Sequence, residues 1–113
     1  MFRNDPAAEP LAAGQIVFDQ GHPGEVMFVV AEGEVALFVN GKQLEVVGPG
    51  GIFGEMVLVD HKSRSATAIA KTPARVVPIS QARFLYLVQN TPFFAIEVMA
   101  IMADRLRRMN EVV

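Results

Sequence analysis

Between Gln15 and Val47 the chain is cut by glycine and proline turns into short β-type runs: "QIVFDQG", "EVMFVVAEG", "EVALFVNG" and "KQLEVVG". The runs are rich in Val, Ile, Leu and Phe, recur about every ten residues, and leave no room for a crossover helix between them. Parallel pairing needs such crossovers, so successive strands must pair antiparallel and close on themselves as a sandwich, jelly roll or barrel. Asn40-Gly41 is the sharpest of the turn signals. Val35, Leu37 and Val39 alternate with Ala36 and Phe38 just before it, and both turn residues tolerate the positive φ of a two-residue hairpin.

The pattern changes after Ser80. Ser80 is placed to cap a helix over "QARFLYLVQN", and "NTP" at 90–92 then stops it and opens another, with Thr91 as N-cap and Pro92 in the first turn. The second helix is expected to run to about Glu111. Within it Ala95, Met102 and Met109 fall seven apart, as do Met99, Leu106 and Val113, and together they form an a/d seam suited to a second copy or an effector domain. Arg105, Arg107 and Arg108 are expected to be solvated flanks of that seam. The layout is therefore a proline-bearing flexible lead-in at 1–10, a β-roll at 11–79 and a helical region at 80–113.

Composition narrows the function. At 113 residues the chain is one domain, and it has no cysteine, which excludes disulfides, thiolate metal sites and cysteine nucleophiles. Hydrophobic residues make up 51%, but the longest apolar stretch, "FFAIEVMAIMA" at 93–103, contains Glu97 and falls well short of a membrane span. A net charge of −2 argues against a nucleic-acid partner, whose backbone calls for a basic face. The sequence opens without a signal-peptide pattern, so the cytoplasm is the expected compartment. His22 and His61 both lie in turn settings without ligand partners at metal spacing. Neither a Ser-His-Asp set, nor paired catalytic carboxylates, nor a P-loop is visible, and no enzyme activity is expected.

The chemistry concentrates in "GIFGEMVLVDHKSRSATAIA", residues 51–70. The glycines of "GPGGIFGE" let the backbone turn sharply or approach a ligand closely. "EMVLV" suits a single helical turn whose free N–H groups would face whatever lies above Gly54. If the loop 59–63 folds back, Arg64 joins that neighbourhood with a fixed positive fork, followed by the hydroxyls of Ser65 and Thr67. An anion held there would repel Glu55, which is then left to accept hydrogen bonds from neutral donors of the same ligand, such as sugar hydroxyls.

This segment closely resembles the phosphate-binding cassette of the cyclic-nucleotide-binding domain family, with its F-G-E-x-A-L, short loop and R-[AST]-A-[TS] pattern. The resemblance extends upstream through "LAAGQIVFDQGHPGEVMFVVAEGEV" and downstream through "PISQARFLYLVQNTPFF". It implies an antiparallel, jelly-roll-like β-roll with a short cassette helix within 51–67, a hinge helix, and a C-terminal lid or dimer helix. It implies further that Phe53, Gly54, Glu55, Met56, Arg64, Ser65, Ala66 and Thr67 form a site for a cyclic purine nucleotide, cyclic AMP or cyclic GMP. Glu55 would accept from the ribose 2′-hydroxyl with Gly54 backbone beside the sugar, and Arg64 would pair with the cyclic phosphate, helped by Ser65 and the Ala66 N–H. Leu106 or Met109 would cap the base. The chain departs from the family at Val57, where alanine or glycine is usual, and at "RMN" (108–110), where the catabolite activator carries a threonine and a serine that reach the base. The implied role is a sensor that moves its C-terminal helices on binding and needs no cofactor or metal; the alternative is a module of the same fold that no longer binds nucleotide.

Overall fold

The computed structural model of the protein describes residues 2–112. Eight strands precede the last two helices: β1 (Glu9–Leu11), β2 (Ile16–Phe18), β3 (Val26–Glu32), β4 (Val35–Val39), β5 (Lys42–Val47), β6 (Ile52–Phe53), the helix α1 (Met56–Asp60), β7 (Thr67–Ala70) and β8 (Ala74–Ser80), then α2 (Gln81–Asn90) and α3 (Pro92–Val112). They form two four-stranded antiparallel sheets, ordered β1-β8-β3-β6 and β2-β7-β4-β5. This is the expected β-roll with C-terminal helices. The β4–β5 hairpin turns on Asn40 and Gly41, both at positive φ. A register shift after the Leu37–Glu45 pair leaves Leu44 as the extra, bulged residue of β5.

β3 explains why the chain is so apolar. Phe28 and Val30 point between the sheets, where they pack with Leu37, Val47, Phe53 and Val76. Met27, Val29 and Ala31 point the other way, against the helices, with Val77, Ile79, Leu87 and Val98. Strands covered on both faces need continuous hydrophobic runs rather than alternation, and β3 and the second half of β8 have them.

Ser80 caps α2 as expected, its Oγ accepting from the Arg83 N–H at 3.2 Å. Thr91 stands at the N-cap position of α3, its carbonyl accepting from the Phe94 N–H at 2.9 Å, but its side chain does not cap that helix: its hydroxyl and its N–H both donate back to the Leu87 carbonyl, closing α2. The first ten residues are tied to the body more closely than their composition suggests. Glu9–Leu11 pair with Ala74–Val76, Asp5 accepts from Arg83 at 2.7 Å, and Phe2 packs on the helix-side core.

The expected single seam on α3 splits into two faces. Ala95, Val98, Met102, Arg105 and Met109 turn towards the roll, at spacings of three, four and seven. Phe93, Ile96, Met99 and Leu106 form an exposed apolar stripe on the other side, Phe93 being 78% exposed. The line Ala95–Met102–Met109 thus lies on one face and Met99–Leu106 on the other; Val113, its third member, lies outside the described residues. Among the described residues no single helix is long and apolar enough to cross a membrane.

Candidate functional site

Gly54 has φ +73°, a conformation that side chains with a Cβ rarely adopt, and a Cβ there would meet Arg64 Nη1 at 2.8 Å and the Phe18 ring at 3.1 Å. It links β6 to the five-residue α1, which opens at Glu55 and ends at His61 in the left-handed region. The polar loop beyond does fold back. The Arg64 N–H donates to the His22 carbonyl and the Arg64 carbonyl accepts from the Gly21 N–H, both at 2.8 Å, so the 19–24 and 61–65 loops are laced together.

Arg64 itself is buried. Its guanidinium carbon lies 4.1 Å from the centre of the Phe18 ring, which holds the plane by cation–π attraction. Nη1 donates to the Gly54 carbonyl at 3.1 Å. Nε has no partner; among the described residues it is the one buried side-chain polar atom left unsatisfied. Burial lowers the pKa of the group from its ordinary value, although a guanidinium stays protonated at neutral pH. A buried cation with an unused donor is the arrangement an anionic ligand completes.

Glu55, 2% exposed, meets a partner that sequence reasoning placed in solvent. Arg105 of α3 is 3% exposed, a correction to its expected position on a solvated flank. Its Nη1 donates to Glu55 Oε1, its Nη2 to the Ile52 carbonyl, and its Nε to Glu45 Oε1 at 2.7 Å. The signal was available in the helical period: Arg105 shares the face of Val98, Met102 and Met109, and so must cross the roll as they do. Burial pushes the Glu55 carboxyl above the ordinary glutamate value of 4.5, with the Arg105 charge pulling the other way.

Glu55, Arg64 and Arg105 surround one cavity together with Phe18, Leu37, Leu44, Gly54, Met56, Val57, Ser65, Ala66 and Met109. Six of the eight expected cassette residues therefore come together. The other two do not line it. Phe53 is wholly buried, its ring stacked on Phe28 with centroids 5.2 Å apart, and Thr67 Oγ1 accepts from the Gln20 N–H at 2.9 Å, tying β7 to the loop beside Arg64. Ser65 Oγ rests on Met56 Sδ at 3.4 Å. Of the two expected capping residues Met109 faces the cavity, whereas Leu106 is 51% exposed; three residues before Met109, it is turned about 60° round α3, enough to clear the roll. With α3 in place the cavity is about 20 Å³, room for one water.

Phe18 and Gly24 escaped sequence reasoning altogether. A Cβ on Gly24 would fall 2.2 Å from Arg64 Nε, so this glycine exists to let the guanidinium pass. Its signal, "HPG", reads simply as a turn.

A family model for the cyclic nucleotide-binding domain matches residues 8–91. The chain belongs to the cyclic nucleotide-binding domain family. Among curated members of this family it is 36% identical over 99 residues to the cyclic AMP receptor protein of Thermus thermophilus, covering 83% of this chain and 46% of that one. It is also 36% identical over 88 residues to a cyclic nucleotide-gated potassium channel of Mesorhizobium japonicum, covering 78% and 24%. The chain spans less than half the length of these relatives. Among solved structures, the Thermus thermophilus catabolite activator protein superposes with a TM-score of 0.79 at 33% identity, over 91% of this chain and 51% of that one. The structure of cAMP-bound PfPKA-R superposes at a TM-score of 0.83 over 93% of this chain and 36% of that one, and at 24% identity it attests the shared fold alone.

Proposed function

We propose that this domain is a sensor that binds a cyclic purine nucleotide in the cavity between Arg64 and Glu55, without altering it, and signals through the position of α3. One observation carries the reading: a buried guanidinium with an unpartnered Nε, braced by Phe18 and the Gly54 carbonyl, across one cavity from a buried carboxylate. Arg64 would take the cyclic phosphate with Ser65 and the Ala66 N–H, Glu55 would accept from the ribose hydroxyl, and Met109 would pack over the base. Each charge-assisted contact is worth roughly 1.5–3 kcal/mol. The rest of the lining, Leu37, Leu44 and Val57, is apolar. Such a wall favours adenine over guanine, which carries more base-edge groups to desolvate, and the relative named as a cyclic AMP receptor agrees.

The polar groups of the site hold a phosphodiester and supply no activated water, so the role is regulatory and not enzymatic, in a cytoplasmic setting. The space beside the cassette is small, about 20 Å³, so a nucleotide entering it meets Arg105 and Met109 of α3. Occupancy and helix position are thereby coupled. The exposed stripe Phe93, Ile96, Met99 and Leu106 is a face for a second copy or an effector domain to read that movement.

The same small cavity, with β-branched Val57 in its wall, favours a second reading: a structural module that no longer takes nucleotide. Thermal denaturation with cyclic AMP and cyclic GMP separates the two. Ligand at a hundred times its dissociation constant adds roughly 2.7 kcal/mol, a rise of about ten degrees for a domain of this size. No shift with either nucleotide at millimolar concentration leaves the structural module.

A further inference from the structure

The ring that braces Arg64 is where it is because β2 is bulged. Ile16 pairs with Ile69 and Phe18 with Ala68, which leaves Val17 as an extra residue without a partner on β7. Regular alternation would give Phe18 the face of Ile16, which is 53% exposed. The bulge turns it inward instead, so that Val17 and Phe18 both pack on the core between the sheets. There Phe18 meets Phe28 and Phe53, with ring centroids 6.0 and 5.8 Å away. Those two are a cross-strand pair of β3 and β6 and stack on each other. The guanidinium carbon of Arg64 lies 4.1 Å from the centre of the Phe18 ring and 5.8 Å from that of Phe28, both within the reach of about 6 Å over which a ring face attracts a cation. Among the described residues Arg64 has no carboxylate partner. A buried cation ordinarily needs one. A carboxylate would occupy the N–H groups that an anionic ligand has to find, whereas an aromatic face attracts the charge and leaves them unspent.

We propose that Phe18 is a positioning residue for the anionic ligand: backed by Phe28 and Phe53, its ring holds the unpaired guanidinium of Arg64 in the orientation that meets the cyclic phosphate. The proposal rests on the nucleotide-binding reading above. It makes affinity depend on the electron density of a ring that acts through Arg64. A weaker π face lets the arginine spend more time in other rotamers, and a ligand sees its affinity reduced by the fraction of competent conformers. A ring that only filled space would be insensitive to that density.

The test uses the full chain with Phe18→Leu, and with phenylalanines carrying one, two and three ring fluorines placed at position 18, which keep the shape of the ring while draining its face. Titration calorimetry with cyclic AMP and cyclic GMP is expected to show about tenfold weaker binding for Phe18→Leu and a graded loss along the fluorine series. The trifluorinated ring at position 84, where Phe84 packs edge-on against Phe94, should change nothing. In nucleotide-free protein the Nε–H proton of Arg64 is expected to resonate upfield under the ring current of Phe18 and to return to the ordinary arginine position in Phe18→Leu. Affinity that stays flat along the fluorine series, or a Phe18→Leu variant that binds as wild type does, overturns the positioning role while leaving the nucleotide reading intact. If wild type binds neither nucleotide, that reading fails, and the Arg64 resonance alone decides whether Phe18 holds the guanidinium: an unshifted proton in wild type overturns it.

Discussion

Arg105→Ala should be among the most damaging single changes in this protein. The substitution removes three hydrogen bonds, to Glu45, Glu55 and Ile52, from a side chain that is 3% exposed. More costly than the bonds lost is the group left behind: the Glu55 carboxylate, 2% exposed, would stay buried without the cation it is bonded to. Removing one member of a buried pair costs about 3–5 kcal/mol, which for a domain of this size lowers the melting temperature by about 12–20 °C. Urea denaturation at pH 7 measures the cost directly. The double variant Arg105→Ala/Glu55→Gln should recover about 2 kcal/mol of it, because the stranded charge is gone while only a neutral amide remains to satisfy. Arg107→Ala and Arg108→Ala, on the exposed side of the same helix, should each cost less than about 0.5 kcal/mol. An Arg105→Ala cost as small as theirs would refute the buried network and return Arg105 to the solvated flank.

Other consequences follow from the same geometry. Gly24→Ala places a Cβ 2.2 Å from Arg64 Nε, so it should weaken nucleotide binding at least tenfold while leaving the melting temperature nearly unchanged, since a flexible side-chain end can move aside; Gly48→Ala, where nothing lies within 4 Å, is the control, and equal affinities for the two would contradict the account of Arg64. Glu55 has a folded-state pKa raised above 4.5 by burial, so between 4.5 and the raised value the folded chain holds a proton that the unfolded chain has released, and stability falls as pH rises through that window. Urea midpoints should accordingly show wild type losing ground to Glu55→Gln as pH climbs from 4.5, then running parallel to it, and a gain with pH would refute the direction. Leu106→Glu, on the exposed stripe of α3, should turn any dimer seen in sedimentation equilibrium into monomer without changing the fold; a dimer that survives it uses another face.

How much of this could be read in the chain depended on whether the signal was local. Asn40-Gly41, the Ser80 cap and the glycine-spaced strands act within a few residues, so the sequence shows them directly, as it does the cassette motif. The neighbourhood of Glu55 and Arg64 was legible because one short loop joins them. Arg105 was not, because its partners Glu45, Ile52 and Glu55 are separated from it by 50 to 60 residues and a long arginine looks polar whichever way its helix turns. Only the face shared with Val98 and Met109 distinguishes it from Arg107. Phe18 and Gly24 were hidden for a similar reason: the strand and turn they belong to account for them until Arg64 is laid across both. Leu106 and Met109 show the limit of a seven-residue repeat, which marks apolar positions but cannot say which of two faces meets the roll when both are apolar.

The central claim is that Arg64 and Glu55 hold the two ends of one cyclic nucleotide. Titration calorimetry of cyclic AMP into wild type, Arg64→Ala and Glu55→Gln tests it most directly. Wild type is expected to show one site per chain, Arg64→Ala a loss of at least tenfold in affinity, and Glu55→Gln a smaller loss. Binding by Arg64→Ala that matches wild type, or no heat from wild type at millimolar cyclic AMP or cyclic GMP, would contradict it.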